Sequence, residues 1–161
     1  MANTSFATTG KLGVKLLETS TTQLFALGET VDGNGGTEWE YVQADGAISA
    51  NYVVFIDEAG QAVQLSTSND ARGDKVGVAG VAFADNEYGW ICRKGAINVQ
   101  VSASCAANAR VNTTATAGQL DDDGTTGAFQ IDGLVLTTAR GGSAGTAAGM
   151  LNYPVVGAVL P

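Results

Sequence analysis

Twenty-two glycines recur every few residues along the 161-residue chain, and they limit its fold more than any other feature. An interior glycine costs a helix about 1 kcal/mol relative to alanine, so this spacing excludes long helices. The longest glycine-free stretch, between Gly95 and Gly118, is the natural place to look for one. There, however, Ile97, Val99, Val101, Ala103 and Cys105 alternate with Asn98, Gln100, Ser102 and Ser104. That period of two predicts a strand with one face buried and one wet.

Other segments repeat this pattern. Glu38–Gln43 is rich in aromatics and follows the turn-forming run Asp32-Gly33-Asn34-Gly35-Gly36. Tyr52–Asp57 ends at Glu58-Ala59-Gly60, with Ala62–Leu65 as its expected hairpin partner. Val76–Phe83 is apolar on both faces and holds Gly77 and Gly80, which predicts a central strand closely approached by another segment. Tyr88–Arg93, Ala128–Ile131, Leu134–Thr138, Met150-Leu151 and Val155–Leu160 complete the expected strands. Short strands with turn signals between them predict an all-β fold, a small barrel or sandwich of antiparallel strands.

The first part of the chain reads differently. Met1–Gly10 is small and polar, while Leu12, Val14 and Leu16 alternate, then Thr19–Thr22 interrupts before Leu24–Leu27. Residues 1–22 are expected to form a flexible N-terminal arm and 23–161 the β-rich domain. One or two strands are expected near 12–27, and the threonines disfavour a helix over 16–24. Residues 139–149, dominated by Gly, Ala, Ser and Thr, are expected to be a loop.

Acidic side chains outnumber basic ones 16 to 8, giving a net charge of −8. That opposes non-specific attraction to nucleic acid or anionic lipid. A hydrophobic share of 45% is ample for a core. No apolar run approaches the length of a membrane span, and no charged and apolar leader opens the chain, so cytoplasmic synthesis is the expectation.

Histidine is absent, which removes the commonest general base and metal ligand. Gly141-Gly142-Ser143-Ala144-Gly145 fits the nucleophile-elbow pattern, but no base and no strand–turn–helix context accompany it, so a loop is the better reading. Asp121-Asp122-Asp123-Gly124 offers carboxylates to a hard cation. In an EF-hand register, however, Gln119 and Gln130 would fill the first and last ligand positions, and an acidic turn is expected. Cys92 and Cys105 lack metal or catalytic spacing and read as reduced core residues, with a bridge between them left open. Trp39, Tyr41, Tyr88 and Trp90 suggest a stacking platform or, better, packing. Arg72, Lys75, Arg93, Lys94, Arg110 and Arg140 are read as scattered surface charges or rim contacts to an acidic partner. No catalytic, cofactor or metal residue is assigned.

From about Gln23 to Leu160 the order of segments resembles bacteriophage head decoration, or capsid cement, proteins. The residues carrying it are Leu24–Gly28, Glu38–Ala44, Gly46-Ala47-Ile48, Val53–Asp57 with Ala62–Leu65, and Gly77-Val78-Ala79. Gly89–Gly95, the small-residue hairpin Ala109–Leu120, Ile131–Leu136 and Val155–Leu160 follow. The resemblance implies a β-barrel-like or sandwich protein that binds the outside of the expanded head, bridges major capsid protein subunits and commonly forms a homotrimer. It implies no cofactor and no catalytic step, with residues 1–22 as the clamp. A tail, fibre or other surface module is the alternative.

Overall fold

A computed structural model describes residues 13–69 and 71–161. Among them the strands are β1 (Thr30–Asp32), β2 (Glu38–Ala44), β3 (Val53–Ile56), β4 (Gln61–Gln64) and β5 (Lys75–Ala79). Then come β6 (Tyr88–Val101), β7 (Asn112–Thr113), β8 (Leu120–Asp121), β9 (Phe129–Leu136) and β10 (Gly145–Val159). The only helical element among the described residues is a short 3-10 turn at Asn34–Gly36. The all-β class expected from the glycine spacing is what the chain adopts.

The pairings close into two circuits. In the first, β2 pairs with β4, β4 with β3, β3 with β5, β5 with β6, and β6 returns to β2. In the second, β6 pairs with β10, β10 with β9, β9 with β7, β7 with β8, and β8 returns to β6. The β2–β4 and β6–β8 pairs are parallel and the rest antiparallel. Closure removes most exposed strand edges.

Side-chain alternation supplies two apolar clusters. Val42, Ala44, Val54, Ile56, Ala62, Ala79 and Ile91 come from all strands of the first circuit and fill it, with Ile48 and Phe83. The opposite faces of those strands give Trp39, Tyr41, Val53, Val76, Val78, Trp90 and Cys92. These pack with Val99, Val101, Leu120, Ile131, Leu136 and Leu151 of the second circuit. β5 is therefore buried on both sides, which is why Val76–Ala79 shows no polar face. A side chain at Gly77 would collide with Ile91 Cγ2, and Leu17 and Trp39 close over Gly80. The close approach expected at Gly77 is found in β5, but the expected strand Val76–Phe83 stops at Ala79, and Gly80 lies in the bend that follows it.

Several expectations need correction. Tyr88–Arg93 and Ile97–Val101 belong to one strand, β6, which passes from the first circuit to the second. Ser104 and Cys105 lie beyond its end. Of the expected loop 139–149, Gly145–Gly149 is strand, paired with Val101–Ile97 of β6. Its small side chains fit between β6 and β9, and that packing overrides weak intrinsic propensity.

Leu24–Leu27 is not a strand. Phe25 turns onto Tyr41 and Trp90, with ring centroids 5.3 Å away in each case, and the Leu24 N–H donates to Tyr41 Oη at 3.1 Å. A side chain thus satisfies backbone that would otherwise need a ladder. Of the expected arm, residues 1–12 lie outside the described residues, Leu12 among them. Residues 13–22 lie against the β body, with Leu16 fully buried and Ser20 and Tyr88 exchanging backbone bonds of 2.9 and 2.8 Å.

Candidate functional site

The β6 and β10 crossover between circuits gathers charge. β6 pairs with β5 through Ile91 and Cys92 and with β10 from Lys94 onward, so Arg93 sits where its partner changes. β10 in turn leaves Lys94 at Asn152 and meets Lys75 of β5 at Val155. Between them Tyr153 takes a left-handed backbone, φ 49°, at an irregularity in the pairing. Glu40 Oε1 accepts from Lys75 Nζ at 2.7 Å, and Arg93 Nη1 stands 3.7 Å from Glu40 Oε2. Tyr153 donates to Glu38 Oε2 at 2.5 Å, and Lys94 Nζ lies 5.6 Å above the Tyr153 ring.

Arg93 is only 6% exposed, and its Nε and Nη1 have no hydrogen-bond partner among the described residues. Burial pulls its pKa down, and the carboxylates of Glu40 and Glu38 pull the other way. The hydrogen bond to Glu38 holds the Tyr153 hydroxyl protonated beyond its ordinary range. The reading of Arg93 as a surface charge is therefore corrected, whereas Lys75 is exposed as expected and pairs with Glu40 from the surface. The available signal was parity, because Arg93 shares the face of buried Ile91.

The carboxylates of the acidic turn are engaged by neighbouring side chains and backbone N–H groups. Asp123 Oδ1 accepts from Asn112 Nδ2 and from the Thr125 N–H, each at 3.1 Å. Its Oδ2 accepts from Thr125 Oγ1 at 2.5 Å, and that hydroxyl is the main cause of its lowered pKa. Asp122 Oδ2 accepts the Ala106 N–H at 3.1 Å. Gln119 Nε2 donates to Ser102 Oγ at 3.0 Å, and Gln130 Nε2 donates to Asp132 Oδ1.

Cys105 Sγ lies with Asp121 and Asp122 carboxylate oxygens inside a 4.8 Å group. Burial first, and the Asp122 and Asp121 charges next, push the Cys105 thiol up to about 12. A protonated thiol beside two hard oxygens is a poor match for calcium. Cys92 is also free and buried, with its thiol pushed up to about 12 by burial. Both cysteines are reduced core residues, as expected.

Ser143 is fixed by Arg140, whose Nε donates to the Ser143 carbonyl at 2.7 Å and whose Nη1 donates to the Thr146 carbonyl at 3.3 Å. This is a clamped loop running into β10. Trp39, Tyr41 and Trp90 are each 3% exposed or less, and the Tyr41 and Trp90 rings meet at 4.9 Å. They form packed core. Phe25, which the sequence did not single out, completes the cluster.

One cleft of about 360 Å³ is lined by Lys15, Glu18, Phe25, Tyr41, Tyr88 and Trp90, so edges of the aromatic cluster face it; two others are mostly neutral. The first of these, of about 470 Å³, is lined by Asn34, Asn51, Asn98, Thr137, Ile97 and Met150, among others, with no Asp, Glu, Lys or Arg in its wall. The other, of about 360 Å³, is lined mainly by threonines, with Asp121 and Asp123 at its edge. Surfaces of this kind offer shape and neutral hydrogen bonding over an extended contact. No helix among the described residues is long and apolar enough to cross a membrane. No known protein-family model matches the chain, and no curated protein matches it.

Proposed function

We propose that this chain is a non-catalytic virion protein, a capsid decoration protein that binds the outer surface of the expanded phage head. The observation carrying the proposal is a doubly closed β body that presents a cleft of about 470 Å³ walled by uncharged side chains. The order of strands that resembles the decoration family supports the same reading. In it the protein bridges major capsid protein subunits, assembles as a homotrimer, and contacts neither nucleic acid nor membrane.

The mechanism is adhesion. An interface of about 800 Å² per partner is strong or weak according to its fit. A subunit touching several shell proteins at once gains through effective concentration. Binding only the expanded state stabilises that state by mass action, which resists internal genome pressure without any covalent step. The net charge of −8 favours solubility before docking on the shell.

The test is to mix purified protein with undecorated expanded heads. Stoichiometric co-sedimentation and a raised shell disruption temperature are expected. Failure to bind at every salt concentration, or label found on tails in electron micrographs, overturns the proposal.

A further inference from the structure

The turn between β1 and β2 carries chemistry that the adhesion reading does not use. Asn34 is followed by Gly35, and every other asparagine in the sequence precedes a residue with a side chain. Asn34 is exposed, and it lines the uncharged cleft of about 470 Å³. Gly35 and Gly36 both adopt left-handed backbone, φ 69° and 75°, and nothing lies within 4 Å of the place where a Cβ would stand on either. The residue after Asn34 therefore offers its nitrogen no steric shield, and the two glycines leave the backbone free to rotate.

We propose that Asn34 is a site of spontaneous deamidation in the folded protein. The Gly35 backbone nitrogen loses its proton and attacks Asn34 Cγ, forming a C–N bond. The Cγ–NH₂ bond breaks, ammonia leaves, and a five-membered succinimide closes across residues 34 and 35. Water then adds to either carbonyl. One opening yields aspartate. The other yields isoaspartate, in which the main chain runs through the former side chain.

Both products change the cleft. Each adds one carboxylate, taking the net charge from −8 to −9 (−8 − 1), and it is the first charge in that wall. The isoaspartate also lengthens the backbone at a tied point. The Asn34 carbonyl accepts from Thr37 Oγ1 at 3.0 Å, and that oxygen accepts from Trp39 Nε1 at 2.9 Å. The modification thus reaches a core tryptophan through two bonds. It converts a neutral contact surface into an acidic one at a rate that rises with pH, because the attacking nitrogen must be deprotonated.

The experiment ages the folded full-length protein at mildly alkaline pH and follows it by ion exchange. Glutamyl endoprotease releases the fragment Thr30–Glu38, which is read by mass spectrometry, with isoaspartyl methyltransferase as an independent probe. A more acidic species should accumulate, its mass change confined to that fragment, and it should be lost in Asn34→Ser. Circular dichroism of the aged sample should match the fresh one. The proposal is overturned if another asparagine reacts first. It is equally overturned if the fragment changes only in urea-unfolded protein, since the fold would then be a shield.

Discussion

Arg93 and Glu40 are both nearly excluded from water, yet their nearest charged atoms are 3.7 Å apart and Arg93 Nε and Nη1 lack hydrogen-bond partners. Desolvating such a pair typically offsets most of its attraction, whereas removing one partner strands the other. Glu40 keeps Lys75 at 2.7 Å when Arg93 is removed, so Arg93→Met should shift stability by no more than about 1 kcal/mol. Glu40→Ala strands Arg93 and should cost about 3 kcal/mol. Urea midpoints of the two variants check this, and equal losses would show that the guanidinium is a net stabiliser.

The cysteines make a second residue-scale prediction. Their folded pKa values, near 12, lie above the ordinary thiol value of about 8.5. Between those limits the unfolded chain releases protons that the folded chain retains. Stability is thus complete below about 8.5 and falls as pH rises toward the folded value. The midpoint should decline over that window in the natural chain and decline less in Cys92→Ala. Both thiols should resist alkylation until the protein unfolds.

Elements were legible where period and burial agreed. The β2 segment and the β3–β4 hairpin follow from alternation and turn residues, whereas the β7–β8 pair was suggested only by the small-residue hairpin of the resemblance. Continuity was not legible. Gly95 and the Tyr153-Pro154 step look like breaks, yet β6 and β10 run through them, because each strand changes partners there. A local pattern cannot reveal that a second neighbour takes over. The same reason hid the charged crossover, whose members come from β2, β5, β6 and β10.

Close approach at Gly77 gives an element-scale prediction. The added methyl of Gly77→Ala must displace Ile91 inside the first circuit, which should cost about 1–3 kcal/mol as overpacking. Thermal melts would read it, and an unchanged melting temperature would mean that the ring relaxes freely. Leu16 belongs to the same scale. It is fully buried, so Leu16→Ala should cost about 2–5 kcal/mol. A truncation meant to test the arm in shell attachment must therefore keep residues 13–22, or lost binding will report lost folding.

At the scale of the molecule, two closed circuits sharing one long strand, β6, raise the question of whether they are separable. Strand sharing alone would allow one ring to open while the other persists. The apolar cluster argues against it, because Trp39, Tyr41 and Trp90 on the first circuit pack in the same body as Val99, Leu120, Ile131 and Leu151 on the second. Opening either ring would expose the outer face of the other to water, at about 25 cal/mol for every Å² of apolar surface. Unfolding should then be one cooperative transition. Fluorescence of Trp39 and Trp90 reports the first circuit, far-UV circular dichroism reports both, and the two urea curves should coincide. Val99→Ala, buried in β6 where it pairs with β10, should shift both curves equally although the tryptophans lie elsewhere. A tryptophan signal that holds its midpoint while the dichroism curve moves would make the circuits independent folding units.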